Sequence, residues 1–298
     1  MENKFLDSIL PFQIDDKNLR GRFARVEKSA TDTLKNHHYP NAVCTFLIEA
    51  LLLTVLIGEM IKIRWRLSLQ VRGNGPIKLL ATDYYAPNEE GKPARIRAYA
   101  DYEKDAAHFN LDSGLFAIII DQGKKMEPYQ GITPIVEGSL SKSAENYFFQ
   151  SEQIKTFFDI NITKKHSAKN GKSWSASGFM LQALPANNGN KFIDAQSWRA
   201  LKERIIEQTK YYSTSAEFDQ YRFLDNIFQT RNLTVFKETK LKFGCSCKRK
   251  TLLYTLAKYP KEQLEQMCDD HKKIDATCQF CRKKFQFFLQ EILDYHEG

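Results

Sequence analysis

The sequence predicts an α+β protein made of an N-terminal mixed α/β domain, a helical linker and a small C-terminal domain that contains paired cysteines. Several segments of residues 66–184 alternate polar and apolar residues as strands do, with helical patterns between them in no strict βαβ order. Residues 194–228 have the periodicity of amphipathic helices, and residues 243–298 contain two close cysteine pairs. The expected domains are residues 1–186, 187–242 and 243–298.

The first helices are expected near the N-terminus. Residues 21–40 and 41–62 read as two helices that Pro40 separates. The second helix contains an apolar run of 17 residues, 42–58, with Glu49 near its centre. Because a charge at that position opposes insertion into a bilayer, the run is expected to be a buried helix rather than a membrane span.

The first strands are predicted to form a hairpin. Leu67, Leu69 and Val71 alternate with polar residues, the sequence GNGP at 73–76 supplies a turn, and the alternation resumes at Ile77. Further along the chain, one helix and four strands are expected: the helix LSKSAENYFFQSEQ (140–153) and the strands ARIRAYA (94–100), LFAIIID (115–121), QIKTFFDINIT (153–163) and SWSASGFMLQAL (173–184).

A domain boundary is expected at PANNGN (185–190), because Pro, Asn and Gly together favour turns. Beyond it, six residues would form the apolar faces of two successive helices: Trp198, Leu201, Ile205, Phe218, Tyr221 and Phe228. An apolar helical face must be buried against another element. The linker is therefore expected to pack on the first domain while it is folded.

Composition places the chain among ordinary globular proteins. Its 298 residues carry a net charge of +8, with no block of five or more like charges, which fits a solvated basic surface better than a nucleic-acid site. The N-terminal residues lack the pattern of a secretory signal, so a cytoplasmic location without membrane attachment is expected. In a reducing cytosol the six cysteines indicate metal or redox chemistry rather than standing disulfides.

Four of the cysteines have the spacing of a metal site. Cys245 and Cys247 form a C-x-C pair, Cys278 and Cys281 form a C-x-x-C pair, and thirty residues separate the two pairs. Two such pairs can supply four thiolates to one tetrahedral Zn2+ ion. The C-terminal segment that contains both pairs, residues 243–298, is too short to rely on its own apolar core. The C-terminal domain is therefore expected to bind zinc and to unfold without it.

The same cysteines suit a redox role. Thiolates held by zinc react with peroxide or hypochlorous acid, and each neighbouring pair can close into a disulfide through a sulfenic acid. Because a disulfide cannot provide two thiolate ligands, oxidation would release the metal. Cys268 is expected to take no part, since in PKEQLEQMCDDH it shares one inward helical face with Leu264 and Met267, where a free cysteine is commonly inert.

Several short motifs, spread along nearly the whole chain, are similar to those of a known protein family. They are RGRFARVE with a following YP, RGNGP, YFFQSEQI, GFMLQALP, RFLDNIF, FGCSC and CQFC. In these motifs, and most specifically in YFFQSEQI and the paired cysteines, the chain resembles the bacterial heat-shock 33-kDa chaperonin family, whose members are redox-regulated holdase chaperones.

The resemblance implies an ATP-independent chaperone, not an enzyme, that binds unfolding client proteins under oxidative stress. It implies that the four cysteines hold one zinc ion in an inactive reduced form and that oxidation activates the protein, with formation of a homodimer. The expected disulfides join Cys245 with Cys247 and Cys278 with Cys281, since neighbours meet before distant thiols once zinc leaves. The candidate client-binding residues of the linker are Trp198, Phe218, Tyr221, Phe223 and Phe228.

Two features depart from that family, and alternatives remain. Its members are usually acidic whereas this chain is basic, and CKRK follows the first cysteine pair where the family often has a serine. The main alternative is a nucleic-acid-binding zinc-ribbon protein, which CKRK, CRKK and the net charge support. A thiol oxidoreductase using Cys278 and Cys281 is disfavoured, because no thioredoxin-like βαβ pattern follows them. The G-x-G of RGNGPIK lies in a hairpin turn, so no catalytic residue is assigned.

Overall fold

The protein divides into two compact units, Met1–Phe243 and Gly244–Gly298. Both combine helices with antiparallel strands, so the predicted α+β class is confirmed. The division at residues 186 and 242 stays a prediction, and the expected boundary at 185–190 lies almost wholly outside the described residues. The computed structural model describes residues 7–61, 63–123, 126–167, 171–185, 193–213, 219–230 and 232–297.

A large β-sheet organises the first unit. Its strands within the described residues are β1 Ser8–Ile14, β2 Leu19–Val26, β3 Arg66–Gly73, β4 Ile77–Tyr85, β5 Ala94–Tyr102, β6 Gly114–Asp121, β7 Tyr129–Pro134, β8 Lys155–Ser167, β9 Gly171–Ala183, β10 Leu233–Val235 and β11 Thr239–Phe243. Their order in space is β7-β6-β3-β4-β5-β11-β1-β2-β9-β8, and β10 also pairs with β1. The predicted hairpin of β3 and β4 and the four predicted later strands are confirmed.

One short strand joins the two halves of this sheet. β11 pairs antiparallel with β1 through Thr239 and Lys240, and it pairs parallel with β5 through residues 241–243. The half β7-β6-β3-β4-β5 and the half β1-β2-β9-β8 are connected along the described strand order only through β11. The continuity of the sheet therefore depends on five residues.

The α-helices that accompany the sheet within the described residues are α1 Lys28–Leu34, α2 Asn41–Met60, α3 Leu140–Tyr147, α4 Ala195–Ser213 and α5 Gln220–Phe228. Helix α2 contacts strands of both halves of the sheet. Within the described part of the chain it is the helix long and apolar enough to cross a membrane, and 72% of its most apolar window is buried inside the protein. The expectation of a buried helix is confirmed.

The charge within α2 has a defined partner. The carboxylate of Glu49 accepts hydrogen bonds from the backbone N–H of Ser141 at 3.2 Å and from the Ser141 hydroxyl at 2.9 Å. Burial raises the pKa of Glu49 above its ordinary value, although these hydrogen bonds oppose the change. Ser141 lies in the first turn of α3, where a helix favours negative charge. A π-helical turn, Phe148–Glu152, extends α3, which confirms the helix predicted at 140–153.

Helices α4 and α5 cover the opposite face of β1, β2, β8 and β9. Strand residues alternate between two apolar cores, so that Ile9 belongs to the core around α2 and Leu10 to the core beneath α4 and α5. The ring of Phe223 on α5 lies 4.6 Å from that of Phe23 on β2. The α4 residues predicted to face inward are buried: Trp198, Leu201 and Ile205. We name this second core the linker core; its helices pack on the sheet as expected.

The second unit is small. Its elements are α6 Arg249–Leu256, α7 Lys261–Gln266, β12 Lys273–Thr277, β13 Lys284–Phe288 and α8 Leu289–Glu297. β12 and β13 form an antiparallel hairpin. Among the side chains described in this unit, the buried apolar core consists of Ala257, Leu264, Ile274, Phe287 and Ile292.

The helix expected at residues 21–40 is corrected at its start. Leu19–Val26 is strand β2, and the helix α1 begins only at Lys28. β2 pairs with β1 on one side and with β9 on the other, and pairing on both sides outweighs the local helical pattern. The sequence also does not predict β1, β7, β10 and β11. Of these, β10 and β11 pair with strands that are distant in the chain.

Two side chains predicted to face inward are exposed. Met267 is 45% exposed because α7 ends at Gln266, before the predicted helical face is complete. Tyr221 is 59% exposed, since the carboxylate of Asp219 caps α5 and fixes a rotation in which other residues face the sheet. Those residues are Phe223, Leu224, Ile227 and Phe228. Phe218 lies outside the described residues.

Gly21 lets the first two strands pack closely. It lies on β2 opposite Phe12 of β1 and Leu181 of β9. A β-carbon at this position would overlap the ring of Phe12 and would come within 2.7 Å of the carbonyl oxygen of Met180. Phe12 is fully buried in the linker core, so its ring has no free space to enter.

Gly21→Ala is therefore expected to lower the free energy of unfolding by about 1–3 kcal/mol, because overpacking a filled core forces side chains and backbone to shift. Urea unfolding followed by circular dichroism measures this change. Gly75→Ala is the control, since its β-carbon would meet only Asn110, at 3.5 Å or more. Equal stability of the two variants would contradict this account of Gly21.

Candidate metal centre and its surroundings

Cys278 and Cys281 lie in the turn that joins β12 to β13. The backbone N–H of Cys278 donates to the carbonyl oxygen of Lys283 at 2.9 Å, and the N–H of Arg282 donates to the carbonyl oxygen of Cys278 at 2.8 Å. Arg282 has a φ of 60°, in the left-handed region that tight turns require. The turn thus reverses the direction of the chain and brings the Sγ atoms of Cys278 and Cys281 close together.

Cys245 and Cys247 lie between β11 and α6, in a stretch without helix or strand. Arg249, the first residue of α6, fastens this stretch to the hairpin. Its guanidinium donates to the carbonyl oxygen of Gln286 at 2.5 Å, lies 4.3 Å from the ring centroid of Phe287 and pairs with the carboxylate of Glu291. The basic run CKRK therefore contains a structural residue that the sequence does not reveal.

The four sulfur atoms converge within 4.8 Å of one another. The Sγ atoms of Cys245 and Cys278 are 3.7 Å apart, and those of Cys247 and Cys281 are 3.4 Å apart. A disulfide bond is about 2.05 Å long, so the four side chains are reduced cysteines that form no disulfide with one another. A tetrahedral ion with metal–sulfur distances of about 2.3 Å spaces its ligands about 3.8 Å apart. The four cysteines are positioned to hold a metal ion.

The protein alone does little to stabilise thiolates at this position. Burial, and then hydrogen bonds with the neighbouring thiols, raise the pKa of Cys247 above its ordinary value. Burial also raises the pKa of Cys281, although the backbone N–H of Lys283 donates to its sulfur and opposes the change. Since the thiolate is the form that binds metal, a cation has to supply the compensating charge.

The other two cysteines lie apart from this group. The thiol of Cys268 donates to the carbonyl oxygen of Leu264 at 3.2 Å and packs at the margin of the small apolar core. Cys44 is buried in α2, and its sulfur lies 3.7 Å from the carbonyl oxygen of Tyr39. Neither belongs to the four-sulfur group. The inert role expected for Cys268 stays a prediction.

The candidate client-binding residues fall into two sets. Trp198, Phe223 and Phe228 are buried in the linker core, with exposed fractions of 6%, 0% and 2%. Tyr221 is exposed, and Phe218 lies outside the described residues. The three buried residues can contact another protein only after the helices separate from the sheet.

Helix α4 is joined to α5 and β8 by polar contacts. The spacing of residues in the sequence does not indicate them. The guanidinium of Arg204 donates to the carbonyl oxygen of Ile227 on α5 at 2.8 Å. The hydroxyl of Thr209 donates to the carboxylate of Asp159 on β8. Burial raises the pKa of Asp159, while the hydrogen bonds that it accepts oppose the change. These polar bonds supplement the apolar contacts of the linker core.

Comparisons with known proteins agree along nearly the whole chain. The family model described as Hsp33 protein matches residues 7–288. The 33 kDa chaperonin of Caulobacter vibrioides (strain NA1000 / CB15N) is 26% identical and covers 94% of each chain. That of Shewanella frigidimarina is 27% identical, over 98% of this chain and 96% of its own. That of Pseudomonas fluorescens is 28% identical, over 96% of this chain and 92% of its own.

A solved structure shares the fold. The crystal structure of the 33 kDa chaperonin from Thermotoga maritima matches with a TM-score of 0.76 and 21% identity, over 98% of both chains. The family model covers nearly the entire sequence, including all four cysteines of the metal centre. The resemblance carried by the motifs is confirmed, and the chain belongs to the Hsp33 family of chaperones.

Proposed function

We propose that the protein is a redox-regulated, ATP-independent chaperone that binds unfolding proteins and keeps them from aggregating. The observation that supports this most directly is the convergence of four reduced cysteines in a chain of the Hsp33 family. Family membership supports the chaperone activity. The cysteines support its control by redox state, because the same sulfur atoms that suit a metal ion can also form disulfides.

In the reduced, inactive form one zinc ion is held by Cys245, Cys247, Cys278 and Cys281. Four sulfur donors at near-tetrahedral spacing suit zinc, which compensates the charge of the thiolates when bound. Structural zinc contributes roughly 10–16 kcal/mol of apparent binding free energy, whereas a whole domain is stable by about 5–15 kcal/mol. With five buried side chains in its described apolar core, the second unit depends on the ion for its fold.

Oxidation by peroxide removes the ligands in balanced steps. A thiolate attacks one peroxide oxygen, the O–O bond breaks, and a sulfenic acid and hydroxide form. A second thiol then attacks that sulfur, the S–S bond forms, and the sulfenic oxygen leaves as water. Two peroxide molecules convert four thiols into two disulfides, which leave no thiolate for the metal. The protein thereby becomes metal-free and active.

The disulfides join neighbours, Cys245 with Cys247 and Cys278 with Cys281, because the two segments separate before the bonds close. In the folded unit, close sulfur pairs at 3.7 and 3.4 Å join one segment to the other. In an unfolded chain, closing a loop of a few residues rather than 33 is favoured by about 2 kcal/mol of chain entropy. Neighbour pairing is thus the signature of metal loss followed by unfolding.

Clients bind to apolar surface that the loosened linker uncovers. Trp198, Phe223 and Phe228 leave the sheet together with their helices, and the sheet face that includes Phe12 and Phe23 is uncovered at the same time. Unfolded proteins expose apolar side chains that can bury themselves against such a surface. Tyr221 is accessible from the start and marks the edge of this surface.

The partners and setting of the protein follow from its family. Its clients are unfolded or partly unfolded proteins, the activated form is a homodimer, and the location is cytoplasmic. Nucleic acid is not required. Two basic residues that would support a nucleic-acid ribbon already have contacts within the unit, since Arg249 binds Gln286 and the Nζ of Lys283 lies 5.1 Å from the ring centroid of Phe285.

Protein purified under reducing conditions is expected to contain about one zinc ion per chain, because four sulfur donors satisfy tetrahedral zinc. Cys278→Ser should retain less than about half of that and lose the fold of the second unit, since three ligands bind structural zinc far more weakly. Mass spectrometry of the metal content measures both. Cys268→Ser is the matched control and should keep its zinc. Full zinc content in Cys278→Ser would refute the ligand assignment.

Treatment with peroxide is expected to release zinc and to switch on suppression of client aggregation, because oxidation of a thiolate to a sulfenic acid removes a ligand. A chromophoric chelator follows the metal, light scattering by a heat-denatured enzyme follows the activity, and peptide mapping identifies the pairs. A reduced, zinc-loaded protein as active as the oxidised one would contradict the switch. Exclusive cross-pairing of the two segments would contradict neighbour pairing.

Phe223→Ala is expected to loosen the linker, because deletion of a fully buried ring costs about 3–5 kcal/mol. The reduced, zinc-bound variant should show faster hydrogen exchange in α4 and α5 and some aggregation suppression without oxidant. Tyr221→Ala is the control on the same helix; its side chain is 59% exposed, so little should change. The same protection of α4 and α5 in both variants would count against this mechanism.

A further inference from the structure

The segment of residues 233–243 closes the gap between two strands. β10 covers β1 at residues 12–14, and β11 covers β1 at residues 8–9 and β5 at residues 94–96. Without this segment, β1 and β5 would both present unpaired backbone donors and acceptors, the usual template for pairing with another chain. Three backbone hydrogen bonds flank or bridge the strand pairs: Leu241 N–H to Asp7 O at 2.6 Å, Phe236 N–H to Pro11 O at 3.0 Å and Asp15 N–H to Asn232 O at 3.2 Å.

This covering segment is held more weakly than the strands it covers. Within residues 233–243 only Leu241 is buried, at 4% exposure, whereas every residue of β1 except Gln13 is buried. The ion pair of Lys237 with Glu90 is exposed and contributes little to stability. The covering segment is therefore retained chiefly by backbone hydrogen bonds, the buried side chain of Leu241 and the partly buried side chains of Leu233 and Val235, which pack against the linker core.

Pro11 interrupts the pairing at its middle. In an antiparallel pair, the N–H and C=O of one residue point towards the same neighbouring strand. The carbonyl of Pro11 accepts from Phe236, so its nitrogen also faces the covering segment, and it has no hydrogen to donate. β10 ends at Val235 and β11 begins at Thr239, on either side of this position. The contact is thus two short ladders rather than one long one.

The covering segment is joined directly to the metal centre in sequence. Only Gly244 separates the end of β11 from Cys245. A bound metal ties Cys245 to three other ligands and so restrains the end of the strand. Once the metal is lost and the second unit unfolds, β11 continues into a free chain, and weakly packed strand ends of this kind fray first.

We propose that metal loss lets residues 233–243 leave the sheet, and that the uncovered edges of β1 and β5 then bind extended segments of client proteins by strand addition. This inference rests on the proposed chaperone function and specifies how the client backbone is held. Two strand edges become available in each chain. The edge of β1 is now paired antiparallel with the covering segment, and the edge of β5 is now paired parallel with it.

The covering segment itself shows what fits these edges. Its half-buried or buried side chains Leu233, Val235, Leu241 and Phe243 alternate with exposed polar side chains along each strand. The occupant is therefore an unfolded polypeptide with alternating apolar residues. Because the pairing is made by backbone groups, it does not depend on one sequence, and many different clients can use it.

Hydrogen–deuterium exchange of the full chain tests the proposal in three states: reduced with zinc, oxidised, and oxidised with carboxymethylated α-lactalbumin as a permanently unfolded probe. The amides of residues 8–14 and 94–96 are expected to exchange about tenfold faster after oxidation, because their edges lose their cover. The probe should restore their protection. Aggregation suppression by the same preparation is measured in parallel.

A variant pair opens the edge without oxidation. Leu241→Pro removes the N–H that donates to Asp7, so the reduced, zinc-loaded variant should show faster exchange in β1 and bind the probe about tenfold more tightly than the reduced wild type. Lys237→Ala, between the two ladders, should behave as the wild type. The measurement on the wild-type protein decides the question even if Leu241→Pro folds poorly.

The outcomes separate this inference from the proposed function. Oxidised protein that suppresses aggregation while residues 8–14 and 94–96 stay protected would overturn strand addition and leave the chaperone function intact. The same holds if the edges open but the probe does not restore their protection. Oxidised protein that suppresses no aggregation would overturn the proposed function, and strand addition with it.

Discussion

Four thiolates can share a space in which every sulfur lies within 4.8 Å of the others only if positive charge compensates them. The protein itself provides little, since burial raises the pKa of Cys247 and Cys281 and Arg249 directs its guanidinium to Gln286 and Glu291. A cation therefore decides whether two segments thirty residues apart stay together. In the proposed mechanism, the fold of the second unit depends on that compensation, and so does the restraint on β11.

The first unit has two apolar cores on opposite faces of one sheet, and in the proposed mechanism one of them opens alone. Helix α2 fills one face of the sheet, and the linker core fills the other. Because side chains alternate along each strand, Ile9 and Leu10 are neighbours in sequence yet belong to different cores. Loss of α4 and α5 from their face leaves the contacts of α2 in place. In the proposed mechanism, one chain thus combines a stable sheet with a cover of two helices that can leave it.

The sequence predicts structure best where a local pattern decides it. The β3–β4 hairpin, the apolar run of α2 and the convergence of the four cysteines all follow from spacing alone. Elements that depend on distant partners are not predicted from the sequence. Leu19–Val26 is a strand because β1 and β9 pair with it. The strands β10 and β11 are too short to show a periodic pattern. Arg249 reads as a surface charge because Gln286 lies 37 positions further on.

The two events proposed for activation are the loss of zinc with unfolding of the second unit and the opening of the linker core. They differ in cooperativity. Structural zinc contributes roughly 10–16 kcal/mol, as much as the whole stability of an ordinary domain, so the proposed loss of zinc would take the second unit from folded to unfolded in one step. The linker core is held by ordinary packing, in which a buried ring such as Phe223 contributes about 2–3 kcal/mol, with a few polar bonds such as Thr209 to Asp159. Its proposed opening would therefore be graded and would increase with temperature. Since heat also unfolds other proteins, the apolar surface and the chains that occupy it would become available under the same conditions.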